Sequence, residues 1–246
     1  MKGFLTLSLL AVFGLASAVA GHISMPHTHK TLLIDHCSKY VLIATRGIRE
    51  AQSDLPGAFK TTINNVLFRV SGSRVVNTVY PTNATLIDQP VQIDYARTSV
   101  GVNWIRDFLN RETQVCPDQS YALLGFSEGA IINSFVLDTY QGTGVDKRIK
   151  AVLFAGNPFH TPNLTGNVDE NGGNLTHGAE GESISAAPAG VRTSSESGRV
   201  LDFCFLGDTI CNKAGSGPEE IHHSYGKTPS VQRIGTDFLI RHLGGK

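Results

Sequence analysis

In the stretch YALLGFSEGAII, Tyr121 to Ile132, a serine stands between two glycines just after an apolar run. G-x-S-x-G is the pattern of a nucleophile elbow, in which a strained strand-to-helix turn presents the serine hydroxyl and the glycines leave room for neighbouring backbone. A serine hydroxyl is a poor nucleophile until a base takes its proton, and that base needs an acid behind it to fix its tautomer. On a strand–turn–helix scaffold of this type the chain order is serine, acid, histidine. Downstream of Ser127 lies CFLGDTICNKAGSGPEEIHHSYG, which offers Asp208 between Cys204 and Cys211, then His222 and His223. A disulfide across those two cysteines would close a small loop and hold the carboxylate. Each feature has a plainer reading: a glycine-bounded turn, a turn aspartate, a solvated histidine pair. Order, strand-end placement and the cysteine clamp together favour the chemical one.

The elements that must position these groups are legible as alternating strands and helices. KYVLIATRG reads as a buried strand running into a loop, and LPGAFKTTINNVLFRV places Phe59, Ile63, Val66, Leu67 and Val70 at helical spacing. RVVNTVYP is a second strand, stopped by Pro81. In YARTSVGVNWIRDFLNRE, Val100, Trp104 and Phe108 recur every fourth residue beside Ile105 and Leu109, an amphipathic helix with Trp104 in the core. SYALLGF and IKAVLFAG are short apolar strands with a helix from Ser127 to about Tyr140 between them. RVLDFCFLGD is the last strand, and SVQRIGTDFLIRHL a closing helix. Continuous apolar strands alternating with helices imply a mainly parallel sheet of about five strands, covered on both faces. Ligands of such sheets bind beyond the carboxyl ends of the strands, where Ser127, the loop at Gly47 and the loop at Asp208 all fall. The region 157–198 is rich in glycine, asparagine and serine without apolar periodicity, and reads as a long surface loop folded against the domain or shaping the site.

With 246 residues the chain can form one sizeable α/β domain or two small ones, and 21 basic residues balance 21 acidic ones. That balance leaves no basic surface for nucleic acid. Residues 1–20 carry Lys2, an apolar stretch from Phe4 to Leu15, and a small-residue cleavage site at Ala16-Ser17-Ala18 or Ala18-Val19-Ala20. This is the form of a cleaved signal peptide, too short in its apolar core for a membrane anchor. Residues 21–246 then form a single exported domain. The four cysteines, Cys37, Cys116, Cys204 and Cys211, include no C-x-x-C pair, which favours two disulfides over a metal site. Sequons at Asn83, Asn163 and Asn174 are candidate glycan sites in a secretory pathway.

The motifs resemble a known family. GFSEGA, CFLGDTIC and HHSYG are similar to the three catalytic blocks of the cutinases, secreted serine esterases related to acetylxylan esterases. YVLIATRGIRE resembles the family's first strand and oxyanion loop, VYPTNAT its second strand, SVGVN the start of its next helix, and CPDQSYALLGFSEGA its cysteine–proline block leading into the elbow. The likeness runs from about Cys37 to the C-terminus, apart from 157–198. It implies an α/β-hydrolase-type three-layer sandwich, with Ser127 as nucleophile, Asp208 as acid and His222 as base, His223 being the alternative. It also implies the pairings Cys37–Cys116 and Cys204–Cys211, and oxyanion-hole N–H groups from Ile48 and Glu128. Here the chain departs from the pattern: the family ordinarily has serine or threonine at the first of these positions and glutamine at the second. A backbone donor survives either change, but a Glu128 carboxylate facing the site would oppose the charge developing on the substrate.

The resemblance also bears on substrate. Between the catalytic aspartate and histidine, cutinases typically carry an apolar lip that meets lipid or polyester. The corresponding segment here, TICNKAGSGPEEI, contains Lys213, Glu219 and Glu220, and the facing loop TNATLIDQPV joins Leu86, Ile87 and Val91 to the sequon at Asn83. A charged rim gains little from burying aliphatic chain, at about 0.8 kcal/mol per methylene. The expectation is a secreted, monomeric esterase without cofactor or metal, preferring short acyl chains. Its expected partner is an ester: cutin-like polyester, acylated polysaccharide or a small soluble ester. An acetylxylan esterase and a catalytically weakened secreted binding or effector protein on the same fold are the alternatives. A copper site is a further reading, since cleavage after Gly21 would leave His22 first with His27 and His29 nearby; clustered terminal histidines are ordinarily solvated.

Overall fold

The computed structural model describes residues 37–82 and 93–244. The signal segment, His22, His27, His29, the Asn83 sequon and the apolar residues Leu86, Ile87 and Val91 lie outside the described residues. Six strands form one sheet: β1 (Tyr40–Thr45), β2 (Ser73–Asn77), β3 (Ser120–Phe126), β4 (Ile149–Ala155), β5 (Asn167–Val168) and β6 (Val200–Phe203). Every pairing is parallel and the order is β2-β1-β3-β4-β6-β5. Such a sheet needs crossovers, and among the described residues five α-helices serve the fold: α1 (Lys60–Arg69), α2 (Tyr95–Val115), α3 (Glu128–Tyr140), α4 (Ala189–Glu196) and α5 (Pro229–His242).

The strands are apolar at consecutive positions because both faces are covered. In β1, Leu42 and Ala44 pack with Phe59, Ile63, Val231 and Leu239 on the side of α1 and α5. Val41 and Ile43 point the other way, into a layer with Ile105, Leu109, Ile132 and Val136 from α2 and α3. The chain leaves β1 for β2 on one side and returns to β3 on the other, so β1 and β3 flank the point where strand order reverses. A crevice opens at the carboxyl ends of such strands. Gly47 and Ser127 stand there.

Two expectations are corrected. The sheet has six strands, because Asn167 and Val168 inside the long insert pair with Asp202 and Phe203 of β6. A two-residue strand leaves no periodic trace. The insert also contains α4, whose Gly190 lies so close to α3 that a side chain there would meet Asp138 backbone nitrogen at 2.5 Å. Part of the insert is organised by the Asp169 carboxylate, which accepts the N–H groups of Asn171, Gly173 and Leu175 at 2.8, 2.9 and 3.1 Å. Order built from small residues and backbone bonds carries no hydrophobic period. The second correction concerns α2: Val100 is exposed, while Trp104, half-buried, packs against the core and stacks on Phe108 at 5.5 Å. Thr98, Gly101, Ile105, Phe108 and Leu109 form the buried side instead.

Candidate active site

The elbow is built by what the glycines permit. Ser127 has φ 54° and ψ −123°, a conformation that costs a non-glycine residue about 1–3 kcal/mol. A side chain at Gly125 would strike Gly129 carbonyl oxygen at 2.6 Å, and one at Gly129 would strike Thr45 carbonyl oxygen at 2.2 Å. Both positions must be bare for β3 to turn into α3 against the end of β1. Ser127 N–H donates to Ala155 O at 3.0 Å, tying the turn to β4. Serine at a helix N-cap commonly caps through its hydroxyl. Ser127 does not, and its Oγ makes no hydrogen bond among the described residues.

Asp208 is buried in the loop closed by the Cys204–Cys211 disulfide; Cys37 is joined to Cys116, so both pairings are those the resemblance implied. The Asp208 carboxylate accepts Ile210 N–H at 2.9 Å and the Tyr225 hydroxyl at 2.6 Å. It also lies 2.9 Å from His222 Nδ1. Burial alone would push the Asp208 carboxyl up, but His222 and Tyr225 hold it below the ordinary carboxylate value. His222 stacks on Phe126, the residue before the nucleophile candidate, with ring centroids 4.9 Å apart. Its other side rests on Gly156, where φ is 55° and a side chain would meet the imidazole Cε1 at 2.6 Å. His223 stays outside, its Nε2 3.8 Å from Glu219. The structure therefore brings His222, and not its neighbour, onto Asp208 and against the elbow. Nδ1–H is set facing the carboxylate, which leaves Nε2 to accept a proton. Hydroxyl–imidazole bonds are often loose before substrate arrives and tighten in the complex.

The oxyanion candidates meet at the same edge. A side chain at Gly47 would touch the Phe126 ring at 2.9 Å and Ser127 Cβ at 3.2 Å, so the loop bearing Ile48 lies against the elbow. Glu128 opens α3, where N–H groups have no intrahelical acceptor and the helix dipole favours negative charge. Neither the Ile48 nor the Glu128 N–H has an acceptor among the described residues. The Glu128 carboxylate does not face the site. It is buried against Arg97, with Nε at 2.9 Å and Nη2 at 2.8 Å, and burial raises its carboxyl while Arg97 pulls it down. Asp94 caps α2 by accepting Arg97 N–H at 3.0 Å, which sets the arginine at the helix start.

Tyr225, Gly156 and Arg97 were not singled out as site residues from the sequence. Only Tyr225 left a signal, its place three after His222 in HHSYG. Asn163 and Asn174 are exposed in the insert. Among the described residues, no group of three histidine, cysteine, aspartate or glutamate side chains is placed to hold a metal, and no helix is long and apolar enough to cross a membrane.

A parallel sheet carrying a serine elbow, with a histidine–aspartate pair at its carboxyl edge, defines an α/β-hydrolase-type protein. Residues 36–243 match the cutinase family model, and the chain belongs to the cutinase family. A solved cutinase-like protein from Cryptococcus sp. is 32% identical, with a TM-score of 0.73 covering 85% of this chain and 97% of that one. The catalytic core domain of acetyl xylan esterase from Trichoderma reesei shares the fold at 21% identity and a TM-score of 0.62, covering 84% of this chain and 99% of its own. An acetylxylan esterase of Hypocrea jecorina is 28% identical over 192 residues, 72% of this chain and 60% of that protein's length. These relatives indicate a carboxylic ester hydrolase.

Proposed function

We propose that the protein is a secreted serine esterase that hydrolyses carboxylic esters through Ser127, His222 and Asp208, with short acyl groups preferred. Ser127 Oγ attacks the ester carbonyl carbon while His222 Nε2 takes its proton. The carbonyl oxygen becomes an oxyanion facing the N–H groups of Ile48 and Glu128. Collapse expels the alcohol, which leaves with the proton from His222, and an acyl-serine remains. Water then repeats the sequence, giving up its proton to His222 and releasing the acid. Asp208 stays ionised throughout, holding the imidazole and balancing its charge. The observation that carries the reading is the His222 Nδ1–Asp208 contact of 2.9 Å, on a ring stacked against the elbow at Phe126.

The rim supports the short-chain preference. Lys213, Glu219 and Glu220 are exposed along the segment between Asp208 and His222, and Arg49 of the oxyanion loop pairs with Glu219 at 3.8 Å. A surface of ions must be desolvated before a long alkyl chain can settle on it. The two disulfides fit an extracellular protein. The test is organophosphate labelling with peptide mapping, followed by kcat/KM on p-nitrophenyl esters from acetyl to palmitoyl, beside acetylated xylan and cutin. Labelling at Ser127 with a maximum at acetyl to butyryl is expected. A steady climb toward palmitoyl, or strong activation at a lipid interface, would overturn the chain-length reading. Activity without label at Ser127 would overturn the mechanism. The relative named acetylxylan esterase makes acetylated xylan the polysaccharide to compare first.

A further inference from the structure

The loop bearing Ile48 is held by a carboxylate for which the triad has no use. Glu50 Oε2 accepts Gly47 N–H at 2.8 Å, and its Oε1 accepts Gly57 N–H at 2.6 Å. Between them Arg49 is turned into the left-handed region at φ 67°, so the loop bends back sharply enough for a side chain to bind its own preceding backbone. Thr82 holds the same bend from outside: its Oγ1 donates to Glu50 O at 2.6 Å, and its carbonyl accepts Arg49 N–H at 2.7 Å.

Gly57 begins the short turn that leads into α1, and this turn belongs to the frame of the catalytic acid. Gln232 Nε2, on α5, donates to Ala58 O at 2.7 Å and to Tyr225 O at 2.9 Å. The Tyr225 hydroxyl donates to Asp208 Oδ2 at 2.6 Å. One line of contacts thus runs from Gly47 through Glu50, Gly57, Ala58, Gln232 and Tyr225 to Asp208. Its two ends are the donor loop and the acid that holds the base.

We infer that Glu50 is a positioning residue for the oxyanion hole: its carboxylate fixes Gly47, and with it the peptide that carries Ile48 N–H, in register with the Asp208 frame. The inference rests on the serine-esterase reading above. Only a carboxylate suits the geometry. Glutamine has one acceptor oxygen, and its NH2 would face one of the two N–H donors; aspartate is a methylene too short to reach both. Fixed donors matter because an oxyanion hole works only if it needs no rearrangement when charge develops. A loosened loop would therefore weaken transition-state binding and spare ground-state binding.

The experiment is steady-state hydrolysis of p-nitrophenyl butyrate by Glu50→Ala and Glu50→Gln, with kcat expressed per active site titrated by a fast organophosphate. By analogy with removal of a single oxyanion donor, Glu50→Ala should lose about a hundredfold in kcat, and Glu50→Gln about tenfold. KM should stay within about twofold, because ground-state contacts persist. Amide hydrogen exchange at Gly47 is expected to be slow in the wild type and to quicken in both variants. If Glu50→Ala fails to fold, Glu50→Gln carries the test. Unchanged kcat per site, or a loss of titratable sites without loss of kcat, would overturn the positioning role. Wild-type turnover surviving Ser127→Ala would instead overturn the esterase reading beneath it.

Discussion

His222 on Asp208 and His160 on Asp202 are two imidazole–carboxylate pairs at the same edge of the sheet, with Nδ1–Oδ2 distances of 2.9 and 3.0 Å. Their second nitrogens differ. His222 Nε2 has no protein partner among the described residues, and the ring is stacked beside the elbow. His160 is fully buried, and its Nε2 lies 3.1 Å from Thr176 O. Asn157 Nδ2 donates to the same Asp202 oxygen at 2.9 Å. Nε2 has an acceptor in Thr176 O, while Nδ1 faces the Asp202 carboxylate at ion-pair distance but outside hydrogen-bond geometry; Asp202 and Thr176 raise the His160 pKa against the opposing effect of burial, which suits an imidazolium. One pair keeps a nitrogen open and can pass a proton. The other is closed, and ties the insert at His160 and Thr176 to β6. A histidine on an aspartate is therefore not by itself a base; a base also needs an open nitrogen.

Breaking the open pair should cost the most activity. Ser127→Ala and His222→Ala should each lose at least about a thousandfold in kcat, leaving what binding and the oxyanion hole supply. Ser127→Ala should not unfold the chain, since alanine fits a turn bounded by Gly125 and Gly129, whereas His222→Ala leaves the buried Asp208 carboxylate with Tyr225 and Ile210 alone and should also lower the melting temperature. Ester turnover in the two variants, with melting temperatures alongside, checks this. Near wild-type rates in either would end the triad assignment.

Gly156→Ala should come next. It adds a methyl group where the His222 ring already lies, 2.6 Å from Cε1, and at a φ of 55° that suits glycine. The ring must move, and displacement by about 1 Å can cost on the order of a hundredfold in rate. The expected signature is a large fall in kcat beside a small fall in melting temperature. Equal losses in both would mean that Gly156 serves the fold and not the ring.

How much of this contrast can be read from sequence depends on whether the reason for a residue is local. Gly125 and Gly129 announce the elbow because turn, strand and helix are contiguous. The apolar runs of β1, β3, β4 and β6 announce a buried sheet for the same reason, and Asp208 stands out through its two flanking cysteines. His160 looks like any other histidine in NPFHTPNL, since its partners are 42 residues on in β6 and 16 residues on at Thr176. Gly156 looks like a strand-end glycine, although its purpose is to make room for a ring 66 residues later. Glu128 reads as a threat to the oxyanion only until Arg97 is seen beside it. Non-local pairing leaves no period to find.

In the closed pair, His160→Ala should act on stability before chemistry. Removing one partner of a buried pair leaves the other charge uncompensated, typically about 3–5 kcal/mol. Thermal or urea unfolding measures the loss, and limited proteolysis should cut the insert at 157–198 sooner than the wild type. The pH dependence has a defined sign. The folded-state pKa of His160 is raised, so the pair's contribution is complete below the unfolded histidine value and fades as pH rises through the folded one. The stability gap between wild type and His160→Ala should therefore narrow on the alkaline side. A gap that widens there would contradict the imidazolium assignment.

The smallest effect should come from His223→Ala, which sharpens the comparison from the side of a histidine with no aspartate at all. Its side chain is half exposed, lies 3.8 Å from Glu219, and meets the His222 and Phe126 rings edge-on at 5.4 and 6.2 Å between centroids. An exposed ion pair at that distance contributes about 0–1 kcal/mol. The ring cannot replace His222, because the Asp208 oxygens are already taken by His222, Tyr225 and Ile210. Turnover of p-nitrophenyl butyrate by His223→Ala should stay within about threefold of the wild type, since His222 keeps its Asp208 contact and its stacking on Phe126 without it. A loss as deep as that of His222→Ala would move the base one residue along the chain, and would require the Asp208 loop to rearrange before catalysis.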